Sequence, residues 1–159
     1  MSVKPIPDGY HTLTPYLVCR DAASAIDFYK QAFGAVQRGD VMKGQDGKVM
    51  HAELRIGDSI FMIADEFPEW GSLSPQSIGG SGMGLHIYVE DVDSAFDHAI
   101  GAGGVVEMPV MDMFWGDRYG KLLDPFGHKW SMATHKRDMS MEDMEEAQRD
   151  FVERMPKTA

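Results

Sequence analysis

The sequence has a single cysteine, no long apolar run and no cluster of basic residues. One thiol cannot close an intramolecular disulfide, and Cys19 sits in the apolar run PYLVC, which reads as a buried structural position rather than a nucleophile. No stretch reaches the ~20 apolar residues that span a bilayer. The opening MSVKPIPDGYHTL also lacks the charged-then-apolar order of a signal peptide. The expectation is a cytoplasmic protein with no membrane partner. A formal net charge of -10, from 15 Lys and Arg against 25 Asp and Glu, lacks the concentrated positive charge that a phosphate backbone demands. Nucleic acid is therefore not an expected partner.

What the 159 residues do contain is a 43% hydrophobic share, enough for one core or for two small modules that share one. Displacing the chain by seventy positions lays YLVCRDAASAIDFYKQAFGA (16–35) on HIYVEDVDSAFDHAIGAGGV (86–105). Asp21 then meets Asp91, Ser24 meets Ser94, Ala25 meets Ala95, and Gly34 meets Gly104. The same displacement sets Gly57 on Gly127 and Met62 on Met132, which indicates an internal duplication.

Each copy reads as strand, helix and three strands. After LTPYLVC, Asp21 is an N-cap, and Ala22, Ala25, Ile26, Tyr29 and Phe33 recur at helical spacing until Gly34 stops the helix. AVQRGDVM, VMHAELRI and SIFMIAD follow as strands. The second copy offers GLHIYVE, the helix DVDSAFDHAIGAGG, then VVEMPVM, YGKLLD and HKWSMAT. The expected division is a first module over 1–70, a linker over 71–83, a second module over 84–138, and a C-terminal helix over 139–159. Ser140 starts that helix, Pro156 stops it, and its stripe of Met141, Met144, Phe151 and Met155 needs a surface to cover.

This duplicated βαβββ order, with RDAASAIDFYKQAFGA, LHIYVEDVDSAFDHAIGAGG and DPFGHKWSMATH, resembles the vicinal oxygen chelate superfamily, which includes glyoxalase I, extradiol dioxygenases, and bleomycin- and fosfomycin-resistance proteins. The run DMFWGDRYG…DPFGHKWSMATHK is similar to its PhnB-like branch. The resemblance covers residues 10 to about 138. It implies an α+β fold in which two tandem modules form a curved mixed sheet around a concave site for a small molecule. It also implies a homodimer, because members commonly pair modules across chains, and often a divalent metal. The inherited ligand positions fall on Thr14, Phe61 or Met62, Gly84 and Ser131, which are poor donors for Zn²⁺, Ni²⁺ or Fe²⁺. No cofactor is expected, with a metal held by a displaced set of His51, Glu53 and His86 as the alternative; His86 lies two residues past the usual ligand position.

Strand alternation nominates the site. In VMHAELRI, Met50, Ala52, Leu54 and Ile56 make an apolar face toward the helix, and His51, Glu53 and Arg55 face the cavity. Leu85, Ile87 and Val89 oppose Gly84, His86 and Tyr88, while Tyr16, Phe61 and Ser131 are assigned to the cavity side by the same reasoning. His86, Glu53 and His51 are the acid/base candidates, because a carboxylate can move an imidazole pKa into the physiological range. Trp115 and Arg118 belong to the run DMFWGDRYG, read either as a ligand-covering loop or as a loop pinned by Asp117 and Arg118. Together with Tyr16, Phe61, Tyr88 and Ser131 they are the candidate substrate contacts. Asp124-Pro125-Phe126-Gly127 is a turn, with His128 bonding local backbone, and His98 and His11 are solvated. Two functions stay open: a glyoxalase-like enzyme doing metal-independent acid/base chemistry on a small anionic or aromatic substrate, and a non-catalytic binder of the bleomycin-resistance kind.

Overall fold

A computed structural model describes residues 3–155, and the stop expected at Pro156 lies outside them. Within this span β1 (Tyr16–Cys19), α1 (Ala22–Phe33), β2 (Val36–Lys43), β3 (Val49–Ile56) and β4 (Ser59–Asp65) form the first module. A 3-10 turn at Pro68–Trp70 and the short α2 (Pro75–Ile78) lead to β5 (Gly84–Tyr88), α3 (Val92–Gly101), β6 (Val105–Asp112), β7 (Asp117–Leu123) and β8 (Lys129–His135). The last helix, α4, spans Met141–Arg154. Each module is a four-stranded sheet of identical order, β1-β4-β3-β2 and β5-β8-β7-β6, with its first strand parallel to its last. The protein has the two-module α+β fold with a C-terminal helix.

The helices begin where side chains satisfy their free N–H groups. Asp21 and Asp91 each accept from the amide of the serine three residues on, and Gly34 closes α1 in the left-handed region at φ 63°. The apolar stripe of α1 then buries Ala25, Ile26, Tyr29 and Ala32 against Leu17, Ala52, Leu54 and Ile63. From the second module, Phe96, Leu122, Trp130 and Met132 join the same cluster, so the two sheets share one core.

Asp124 ties the halves together. Its side chain, 2% exposed, accepts from the Phe126 and His128 amides with one oxygen, and from the Tyr29 hydroxyl (2.7 Å) and Trp130 indole (2.8 Å) with the other. The DPFG run is a turn, as expected, but its aspartate also fastens α1 of the other module. His128 likewise departs from the expected local bond: it is buried, and its Nε2 lies 3.0 Å from the Val18 carbonyl of β1. His98 is exposed, yet its Nε2 reaches the Gln31 carbonyl at 2.7 Å.

The seventy-residue displacement does not hold through the whole repeat. Tyr16 pairs with Met62, and its counterpart His86 pairs with Ser131, so the last strands correspond at one residue fewer. Leu54 opposite Phe61 matches Leu122 opposite Trp130, which puts the third strands at two residues fewer. An even slip leaves side chains on their expected side, whereas an odd one turns them over. His51 and Glu53 therefore stand on the helix-free face as expected. Phe61 does not: it is 5% exposed, with its ring edge-on to Tyr29 at 5.7 Å and to Trp130 at 6.3 Å. Phe61 is a core residue, and Met62 takes its place on the open face. Near the start of β3, register irregularities against β2 bury Val49 and leave Met50 half-buried, against strict alternation.

Candidate functional site

The helix-free faces of the two sheets carry the titratable side chains, in two separate groups. On the first sheet, the Tyr16 hydroxyl lies 3.4 Å from His51 Nδ1, His51 Nε2 lies 3.5 Å from Glu53, and Arg38 reaches the other Glu53 oxygen at 3.4 Å. The Tyr10 hydroxyl directed at Glu53 does most to hold that carboxyl below its ordinary range, with His51 and Arg38 adding to it against the burial cost. Burial raises the Tyr16 hydroxyl.

The second group is built around Asp117, which is 5% exposed. One oxygen accepts from the Tyr88 hydroxyl at 3.1 Å and the Trp115 indole at 3.0 Å, and the other lies 2.7 Å from His135 Nδ1. Burial penalises this carboxylate, but the three partners together outweigh it and keep the group below its usual range. Beside it, His86 Nδ1 lies 2.7 Å from the Ser131 hydroxyl. The imidazole stacks on Tyr119 at 5.8 Å and meets Tyr88 edge-on at 4.6 Å. Burial lowers the His86 pKa, partly offset by the charge of Asp117, so the ring is neutral near pH 7. Among the described residues its Nε2 has no hydrogen-bond partner. Tyr88 remains 63% exposed, so this aromatic patch is open to solvent.

Several expected relationships change. Among the described residues the bonded and ring partners of His86 are Ser131, Tyr88 and Tyr119, while the ion partners of Glu53 are His51 and Arg38, so the expected pair is not formed. Among the described residues no three His, Cys, Asp or Glu side chains are grouped so that they could hold a metal ion, so His51, Glu53 and His86 do not form the displaced set. The inherited metal positions also fail on donor chemistry, since Thr14, Met62, Gly84 and Ser131 supply neither imidazole nor carboxylate.

Arg118 is the other correction. β7 begins at Asp117, so the connection is only Met113–Gly116, and strand alternation sends Asp117 and Tyr119 to the open face but Arg118 to the helix side. There the guanidinium grips Asp93 of α3 with two nitrogens, at 2.6 and 2.7 Å, and reaches Asp112 at 3.2 Å. It pins the loop and does not border the patch that His86 lines. Trp115 does belong to the patch, edge-on to Tyr119 at 5.4 Å.

Sequence alternation turns His135 toward the cavity and gives Asp117 to the loop surface, without naming either a site residue, and it misses Asp124 as a tie. The signal for the first two was the odd-numbered set of β7 facing that of β8, readable once β7 is started at Asp117. A cavity of about 880 Å³ lies along β5 between α1 and α3, with His86 and Tyr88 in its lining. Its walls include core-facing Phe33, Leu85, Ile87, Trp130 and Met132, and its one histidine, apart from His86 of β5, is the His98 that already bonds Gln31. The hydrogen-bonded titratable groups around Asp117 and around Glu53 stand on the helix-free faces, so the chemistry is assigned there.

These two sheets, each with its helix on one side and a polar, aromatic face on the other, define the class. The chain belongs to the Glyoxalase/Bleomycin resistance protein/Dioxygenase superfamily, whose model matches residues 10–132. It is 46% identical over 138 residues to an uncharacterized protein of Mycobacterium tuberculosis (strain ATCC 25618 / H37Rv), covering 85% of this chain and 81% of that one. Among solved structures it is similar to TioX from Micromonospora sp. ML1, at 26% identity and a TM-score of 0.61 over 79% of this chain and 98% of that one. It also shares the fold of the PhnB protein from Bacillus cereus, at 21% identity and a TM-score of 0.60 over 78% and 99%. No helix among the described residues is long and apolar enough to cross a membrane.

Proposed function

We propose that the chain binds a small planar compound on the open face of the second module, and that His86 meets its polar edge. The observation that carries this reading is the arrangement around Asp117: one buried carboxylate orients Tyr88, Trp115 and His135 around a neutral imidazole whose Nε2 is free. Rings held at their polar ends, with Tyr88 open to solvent, suit stacking, and a fixed neutral imidazole accepts or donates one hydrogen bond. Ser131 fixes the imidazole, and Tyr119 forms the floor. Within the superfamily, the run from Asp112 to His135 supports a PhnB-like reading of the chain.

A second reading, acid/base catalysis, draws on the first module. His51 and Glu53 are 3.5 Å apart on an open face, a separation from which a carboxylate orients an imidazole for proton transfer. A second copy of the chain would bring such a group opposite His86. Exposed Tyr16, Met42, Tyr88 and Met111 on the two open faces supply apolar surface for that homodimer to cover. Sedimentation at micromolar concentration distinguishes one copy from two.

The ligand reading is tested by a thermal-shift screen of planar aromatic and anionic compounds against wild type, His86→Ala and Tyr119→Leu. Compounds that raise the wild-type melting temperature should lose that effect in both variants. Stabilisation retained in both would place the ligand elsewhere. A product found by mass spectrometry after incubation, lost in His51→Ala, would favour catalysis over binding.

A further inference from the structure

Ile60 pairs with Arg55 and so lies on the helix-free face of the first sheet, yet it is 4% exposed. The segment before β1 covers it. Tyr10 N–H donates to the Pro7 carbonyl at 3.2 Å and Gly9 takes φ 84°, which turns the chain back over the sheet. A side chain at Gly9 would begin 3.7 Å from the Ile60 δ-methyl, so the backbone itself lies against that residue. The Tyr10 ring sits under the Arg38 guanidinium, 5.3 Å from its carbon, and lines the same cleft as Glu53. Beneath the segment is a cleft of about 550 Å³, with Glu53, Arg38 and Met62 on one side and Ile6, Pro7 and Tyr10 on the other.

The attachment is slight for a segment of this length. Pro15, where the chain enters β1, accepts from the Met62 amide at 2.9 Å, but before it the backbone bond from Tyr10 to Pro7, the Lys4 to Asp8 ion pair and the Thr14 to His11 bond are all internal. His11 lies 3.9 Å from Asp58, with both side chains well exposed. What fastens it to the sheet is Tyr10 on Arg38 and Glu53, together with the packing on Ile60. Among the described residues, lifting 5–14 breaks no strand pairing, which is the character of a lid rather than of a strand.

We infer that residues 5–14 are a lid on the open face of the first module, latched by Tyr10 on Arg38 and Glu53, and that its opening admits a small molecule to Glu53 and Met62. The inference concerns the first module and does not depend on the ligand reading of the second.

Methionine oxidation by hydrogen peroxide, followed residue by residue by mass spectrometry on the full chain, tests it. Met62 is half-buried under the lid, Met132 at 1% exposure reports the core, and Met141 at 71% reports free solvent. In wild type Met62 should oxidise more slowly than Met141. In Tyr10→Ala it should oxidise several-fold faster than in wild type, with Met132 and Met141 unchanged. Glu53→Gln should move Met62 in the same direction, because it removes the carboxylate and keeps the shape. The lid is overturned if Met62 keeps its wild-type rate in both variants, or if it already matches Met141 in wild type. Should Met132 accelerate in Tyr10→Ala, signalling loss of the fold, Glu53→Gln decides alone by the same criterion.

Discussion

Asp117 and His135 stand directly opposite each other on β7 and β8, and their side chains meet at 2.7 Å. A strand pair thus places a nearly buried carboxylate against an exposed imidazole, which Asp138 also holds at 3.0 Å. The hydrogen bond to Asp117, then that to Asp138, raises the His135 pKa above 6.5, while Asp117 is held below 3.8. A raised histidine contributes stability that is full below its unfolded pKa and is lost as pH rises through the folded one. A depressed aspartate contributes above its unfolded pKa and loses that contribution as pH falls through the folded one.

The pair therefore stabilises most between about pH 4.5 and pH 6. Urea unfolding of wild type and His135→Ala should differ more at pH 6 than at pH 9, where only a neutral hydrogen bond remains. An equal difference at both values would show that the charge on His135 contributes nothing to the fold.

Phe61 gives a second expectation. Because the slip of one residue turns it into the core against Tyr29 and Trp130, Phe61→Ala should cost about 3–5 kcal/mol, the usual cost of deleting a buried aromatic ring. Met62→Ala, on the other face, should cost clearly less. Denaturant unfolding of the two variants would reverse that order if Phe61 lined the ligand face.

Phe61 also shows how far the sequence could be read. The duplicated element order, the caps at Asp21 and Asp91 and the faces of β3 and β5 were legible, because each rests on local periodicity. The face of β4 was not, since it depends on the turn before it. Gly57–Asp58 links β3 to β4, whereas the corresponding turn over Pro125–Gly127 is one residue longer, and matching Gly57 to Gly127 hides that difference. The same limit applies to the site. His51, Glu53, His86, Tyr88 and Ser131 were nominated from alternation and stand on the open faces. Whether they meet is a matter of how two modules pack, and alternation within a strand carries no information about that.

Gly116 tests the connection before β7. It has φ 99°, its carbonyl accepts from the Lys136 and Arg137 amides, and a Cβ there would collide with the Arg137 carbonyl. Gly116→Ala should destabilise by at least about 1–3 kcal/mol from backbone strain alone. It should also loosen Trp115, seen as a red shift in tryptophan emission. A neutral result would mean that the backbone relaxes without loss.

Arg118 closes the question of what the run DMFWGDRYG does. Its guanidinium is spent on Asp93 and Asp112, so it is a clasp between β7, β6 and the first turn of α3. An ion pair of this kind weakens with salt, because both acidic partners are open to solvent. Arg118→Ala should lower the melting temperature more at low than at high ionic strength. Asp93→Asn should reproduce most of that loss, and the double variant should add little to either, since both remove one interaction. Ligands that depend on His86 should keep their affinity in Arg118→Ala. Equal loss of affinity for anionic ligands in Arg118→Ala and His86→Ala would instead put the guanidinium in the binding site and would require the side chain to leave Asp93 when a ligand arrives.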